Sequence, residues 1–195
     1  MKRAFTRWAL LVALFTLIGF IGITIALPYI TMGLGLNRVE RGDAPSVDAA
    51  GATGRNRIYH SQIIDERYGA DSNYLFTRPN PDILYSACSY DLDAGPVLVG
   101  MVNHPEYGSI AFHGDNTDNY AVVNNRGVSA ARIDVLIIRK GSTAPQGYTG
   151  RVVESPTRTG MALVRLLTEQ RQDLQRYLNL QQQHSCAPYE SDRNG

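Results

Sequence analysis

Two short stretches hold residue types that could do chemistry. Arg78, Asn80, Asp82 and Tyr85 lie close together in the run RPNPDILY. An arginine there could take a carboxylate or phosphate, and an aspartate or tyrosine could give or accept a proton. The run Pro79-Asn80-Pro81-Asp82 is equally turn chemistry, in which Asx side chains close on their own backbone. Downstream, Asp118 and Asn119 follow the glycine-led turn GDNTDN. His113, Asp115 and Asp118 could offer donors to a divalent cation, but the D-x-[DN]-x-[DN]-G pattern is absent and no metal is expected. We take Arg78, Asn80, Asp82, Tyr85, Asp118 and Asn119 as candidate ligand-binding residues. No catalytic set is complete. Ser86 and Ser109 lack a G-x-S-x-G surround, and His60, His104, His113 and His184 are scattered without H-E-x-x-H. Phosphate-binding glycine motifs are also missing, so no cofactor is expected.

The bulk numbers narrow the function class. The chain has 195 residues, a net charge of +1 and 44% apolar residues. That balance suits one globular domain with an appendage, and excludes nucleic acid as a main partner, since phosphate binding needs an excess of Lys and Arg. Cys88 and Cys186 form no C-x-x-C pair, which removes zinc and thioredoxin-like chemistry. Cys186 lies in a polar tail, so two unpaired cysteines are expected; one long-loop disulfide is the alternative in an oxidising compartment.

The elements that must position these residues are read as follows. Trp8 to Leu27 is an uncharged apolar run ended by Pro28, long enough for a helix across a bilayer core of ~30 Å. Lys2, Arg3 and Arg7 before it outweigh Arg38 and Arg41 after it, which puts residues 1–7 in the cytoplasm and the remainder outside. A cleaved signal peptide is the rival, but its apolar region would be shorter. Residues 8–30 are therefore read as the span, 31–57 as a Gly/Ala/Pro-rich linker, 58–183 as a β domain with a terminal helix, and 184–195 as a flexible tail. Within the domain, ILYSACSY and VLVGMV look like a hairpin across the turn Asp91–Gly95. GSIAFH, YAVV, IDVLIIR, GRVVES and TGMALVRLLT supply further strands, with IDVLIIR central. EQRQDLQRYLNLQQQ is helical, with Leu174, Tyr177 and Leu178 on one stripe. These strands predict an antiparallel β-sandwich.

The stretch RPNPDILYSACSYDLDAGPVLVG resembles the opening of a bacterial family known as the twelve-fifty-four domain of unknown function. Arg78, Pro79, Asn80, Asp82, Leu84, Tyr85 and Ser86 match one block of that family. Asp91, Leu92, Gly95, Pro96 and Val97 match its turn and strand. Thr117, Asp118, Asn119, Tyr120 and Ala121 match a second block, and Ser155, Pro156 and Thr157 a third. Arg165 and the Gln-rich helix also fit, while His113 and Asp115 depart from the pattern. The resemblance covers residues 58 to 183 and implies an immunoglobulin-like β-sandwich, with no established activity. Many members continue into a second domain, the twelve-fourteen domain, which is expected here as a separately encoded partner.

Together these readings predict a single-pass protein of the bacterial inner membrane with a periplasmic, non-catalytic binding or assembly domain that acts with a partner subunit. The alternative is an envelope hydrolase using Arg78, Asp82, Tyr85 and Asp118 in one pocket.

Overall fold

The structure is a computed structural model that describes residues 2–41, 54–61, 80, 82–168 and 173–190. Helix α1 runs over Lys2–Arg41. Strands β1 (Ile58–His60), β2 (Ile83–Asp91), β3 (Val97–Val102), β4 (Gly108–Gly114), β5 (Asn119–Asn124), β6 (Arg132–Arg139), β7 (Arg151–Ser155) and β8 (Thr159–Leu167) follow, then helix α2 (Leu174–Gln181) and strand β9 (Ser185–Pro188). They make two sheets, ordered β1-β2-β8-β4-β5 and β7-β6-β3-β9.

Alternation decides which side chains meet. Leu84, Ser86, Cys88 and Tyr90 point from β2 to the interior, as successive strand residues face opposite ways. Cys88 and Tyr90 meet Val97, Val99 and Met101 of β3 and Ile133, Val135 and Ile137 of β6, so the two sheets share one core; Leu84 packs instead with Leu166 and Tyr177. IDVLIIR is flanked by β7 and β3 and is internal, as its apolar run implies.

Several expectations are corrected. β2 and β3 are not a hairpin: β2 pairs with β1 and β8, whereas β3 pairs with β6 and β9 in the other sheet. The turn after Asp91 carries the chain across the sandwich. The second sheet is mixed, because β6 and β7 run parallel. The tail is not all loose: Ser185–Pro188 forms β9, and Cys186 is bonded to Cys88. That disulfide joins β2 of one sheet to β9 of the other across a Cα separation of 6.2 Å.

The helix does not stop at the expected boundary. Pro28 lies inside α1, and the helix continues to Arg41. Thr31 Oγ1 donates back to the carbonyls of Leu27 and Pro28 in the preceding turn. Residues 7–41 form a helix long and apolar enough to cross a membrane. Past the apolar run, Met32, Leu36 and Val39 recur on one stripe and are buried. Val39 packs with Tyr59, Ala87 and Leu163 on the outer face of the five-stranded sheet. Beside it, Glu40 Oε1 accepts from Ser89 Oγ (2.9 Å) and Arg55 Nε (3.0 Å), and Arg55 reaches on to Asp91 (2.5 Å). Residues 31–41 and 54–57, read as linker, are thus helix and a stapled segment lying against the domain.

Candidate functional site

The register separates the candidate residues. Asn80 and Asp82 precede β2, at the end where Ile83 opposes Leu167 and Leu166 opposes Gly108. Asp118 and Asn119 lie at the other end, where Tyr90 opposes Gly160 and Gly160 opposes Gly114. Seven strand steps separate these ends, roughly 23 Å at about 3.3 Å per residue. Asp82 and Asp118 therefore do not share a pocket, and the four-residue hydrolase site is not assembled. Arg78 lies outside the described residues.

Each candidate that is described has local work. Asn80 Oδ1 accepts from the Asp82 amide at 2.9 Å, an Asx turn. The Tyr85 hydroxyl accepts from the Asn80 amide at 3.2 Å, and the Asp82 carbonyl accepts from both the amide and hydroxyl of Thr168. The motif thus starts β2 and ties it to the end of β8. Asp118 accepts from Asn116 Nδ2 at 2.6 Å, and Asn119 opens β5 opposite His113. Among the described residues, no group of three or more His, Cys, Asp and Glu is arranged to hold a metal.

The other two family blocks build a hydroxyl network. Tyr90 Oη lies 3.0 Å from the His113 carbonyl, 3.0 Å from Tyr120 Oη and 2.9 Å from Ser155 Oγ, and its single proton serves one of the three at a time. Ser155 Oγ donates to the Thr157 carbonyl, and Thr157 Oγ1 to that of Thr159. Burial raises the pKa of both tyrosines, so these hydroxyls stay neutral.

Near the Asn80 end, the fold gathers histidines that are far apart in sequence. His60 Nδ1 lies 2.9 Å from Ser86 Oγ, and His184 Nδ1 lies 3.2 Å from the same oxygen. All three residues are buried. Burial first, then His60, His104 and Arg132, hold the His184 pKa down to about 3. His184 is therefore neutral in the folded chain, and among the described residues its Nε2 has no hydrogen-bond partner. A serine between two imidazoles is an arrangement that could activate a hydroxyl, but Ser86 is sealed from solvent and acts as a link in a buried polar chain.

His104 leads to the open part of this end. Its Nδ1 lies 3.2 Å from Glu106 Oε2, while Oε1 of that carboxylate accepts from Tyr177 Oη (3.0 Å) and Arg176 (3.2 Å). Burial lowers the His104 pKa more than Glu106 raises it, so the contact is a hydrogen bond to a neutral ring rather than an ion pair. Residues 103–107 and 125–131, the loops after β3 and β5, line an open cavity of about 730 Å³. Each loop is pinned by an asparagine of the other. Asn103 Nδ2 donates to the carbonyls of Val128 and Ala130. Asn125 accepts from the Gly108 amide and donates to the carbonyls of His104 and Glu106. Gly127, at φ +71°, supplies the left-handed residue that the second loop needs. Sequence reasoning reads both loops only as turns; their signal is an asparagine opening each, which marks a turn without naming its distant partner.

The sequence profile of the family described as protein of unknown function (DUF1254) matches residues 56–188. The chain belongs to this family. The DUF1254 match takes in both cavity loops and β9. No curated protein matches the chain. Among solved structures, it is similar to the VPA0106 protein from Vibrio parahaemolyticus, at 15% identity and a TM-score of 0.49, over 60% of this chain and 33% of that one. It is also similar to an uncharacterized protein from Burkholderia cenocepacia, at 16% identity and a TM-score of 0.41, over 59% of this chain and 32% of that one. The chain thus matches about a third of the length of either structure.

Proposed function

We propose that this DUF1254 member is a membrane-anchored binding module of the bacterial cell envelope, with α1 in the inner membrane and the β domain in the periplasm. The observation that carries the reading is the pair of cross-pinned loops around an open polar cavity. A preformed concavity is what a binding domain requires. The candidate hydrolase residues, by contrast, lie at opposite ends of a sheet. The anchor and orientation are supported by the apolar helix and by the basic residues before it. The Cys88–Cys186 disulfide is in keeping with an oxidising compartment. A bond between two packed sheets also supports assigning the domain to the immunoglobulin-like class. The module acts with a partner subunit, a separately encoded protein resembling the twelve-fourteen domain.

The test is affinity purification of the tagged full chain in mild detergent, followed by mass spectrometry. A stoichiometric envelope protein should accompany it. Recovery of the chain alone across several mild detergents would defeat the partner assignment. A C-terminal alkaline phosphatase fusion should be active; an inactive fusion would reverse the orientation.

A further inference from the structure

We infer that the cavity between residues 103–107 and 125–131 takes a small organic molecule bearing a carboxylate or phosphate group, with Arg126 as its charge partner. The inference rests on the binding-module reading and adds the ligand's chemical class. Arg126 lines the cavity, and its guanidinium lies over the Tyr107 ring, 5.6 Å from the centroid. Tyr107 belongs to the opposite loop, so this stack is a third cross-loop contact. It restrains a long side chain on one side, and Arg126 is otherwise exposed. Arg55, Arg132, Arg139, Arg158 and Arg176 all contact carboxylates. Arg126 forms no ion pair among the described residues.

Glu106 is the carboxylate that could compete for it. Both its oxygens are engaged, by His104, Tyr177 and Arg176, and although burial raises its pKa, a backbone hydrogen bond and these three partners bring it below the usual value. Among the described residues, the charge left over at the cavity is positive. A planar guanidinium matches an oxyanion through two parallel hydrogen bonds. The volume, about 730 Å³, falls in the range of about 300–1,000 Å³ typical of ligand sites, and exceeds what a bare inorganic anion needs. Asn103, Ser129 and loop backbone supply polar walls for the rest of the molecule. Because the loops are already pinned, little ordering cost falls on binding.

The experiment is calorimetric titration of the full chain in an uncharged detergent with glucuronate, glucose 6-phosphate, citrate and glucose. At least one of the three anions should bind and glucose should not. The better of glucuronate and glucose 6-phosphate identifies a carboxylate or a phosphate as the group preferred. Arg126→Ala should weaken binding by about tenfold or more without shifting the melting temperature, and Arg126→Lys should recover part of the loss. Binding of no anion, equal binding of glucose, or an unaltered Arg126→Ala variant would each overturn the inference. None of these outcomes bears on whether a partner subunit co-purifies, so the two proposals fail separately.

Discussion

At Gly160 of β8 there is no room for a methyl group. A Cβ there would sit 2.2 Å from both the His113 carbonyl and Tyr90 Oη, which are the atoms of the hydroxyl network. Gly160→Ala should cost at least about 1–3 kcal/mol, the usual penalty for forcing atoms into a packed site, as read by urea denaturation. Gly100 has a similar role in β3: the Arg132 guanidinium lies across it to reach Asp134, the Gln183 carbonyl and Ser185. A second expectation concerns acid. The unfolded chain protonates His184 near 6.5, whereas the folded chain resists protonation down to about 3. Between those values the unfolded state holds more protons, so stability is fully present above the upper value and is lost as pH falls toward the lower one. His104 and His113, also held down by burial, act in the same direction. Urea midpoints at about pH 8 and about pH 5 should differ accordingly, and His184→Leu should flatten the difference. Equal midpoints in the parent chain would refute the assignment. The histidine cluster is not legible in the sequence, because 98 positions separate Ser86 from His184 and no motif spans them.

Among the elements, local pattern and tertiary placement part company. The alternation in ILYSACSY and the apolar run in IDVLIIR specify strands, and both are strands. Alternation does not say which sheet a strand joins, so the turn after Asp91 reads as a hairpin although β2 and β3 pair with different neighbours. β9 is short, contains Pro188 and sits in a polar context, which hides it; its pairing to β3 and the Cys186 bond define it. The disulfide closes a separation of 98 residues. Replacing both cysteines by alanine should lower stability by roughly 2–5 kcal/mol on the chain-entropy account, seen as an earlier thermal transition under non-reducing conditions. The docked end of α1 makes a separate prediction. Glu40→Ala removes the acceptor shared by Ser89 and Arg55, and leaves Ser89, buried in β2, without that bond. The cost should be about 1–3 kcal/mol of local stability, detected as faster tryptic cleavage after Arg38 and Arg41. Unchanged cleavage would mean that the apolar stripe of Met32, Leu36 and Val39 alone fixes the helix.

For the molecule as a whole, the important feature is that one helix holds both a stretch long and apolar enough to cross a membrane and an end docked on the domain. Beyond residue 30, α1 adds 11 residues, about 16 Å at 1.5 Å per residue. A floppy tether would let the β domain sample all headings within a hemisphere. With the apolar stretch in a bilayer, as proposed, a docked helix would act instead as a mast of set length, fixing the altitude of the five-stranded sheet above the bilayer and the compass bearing of the cavity relative to the span. Turning the helix about its axis within the lipid would sweep the cavity through the same angle. Encounters with other residents of a membrane so spanned would become a search over two dimensions at one height, and proteins whose reach ends lower or higher than the mast would be passed by.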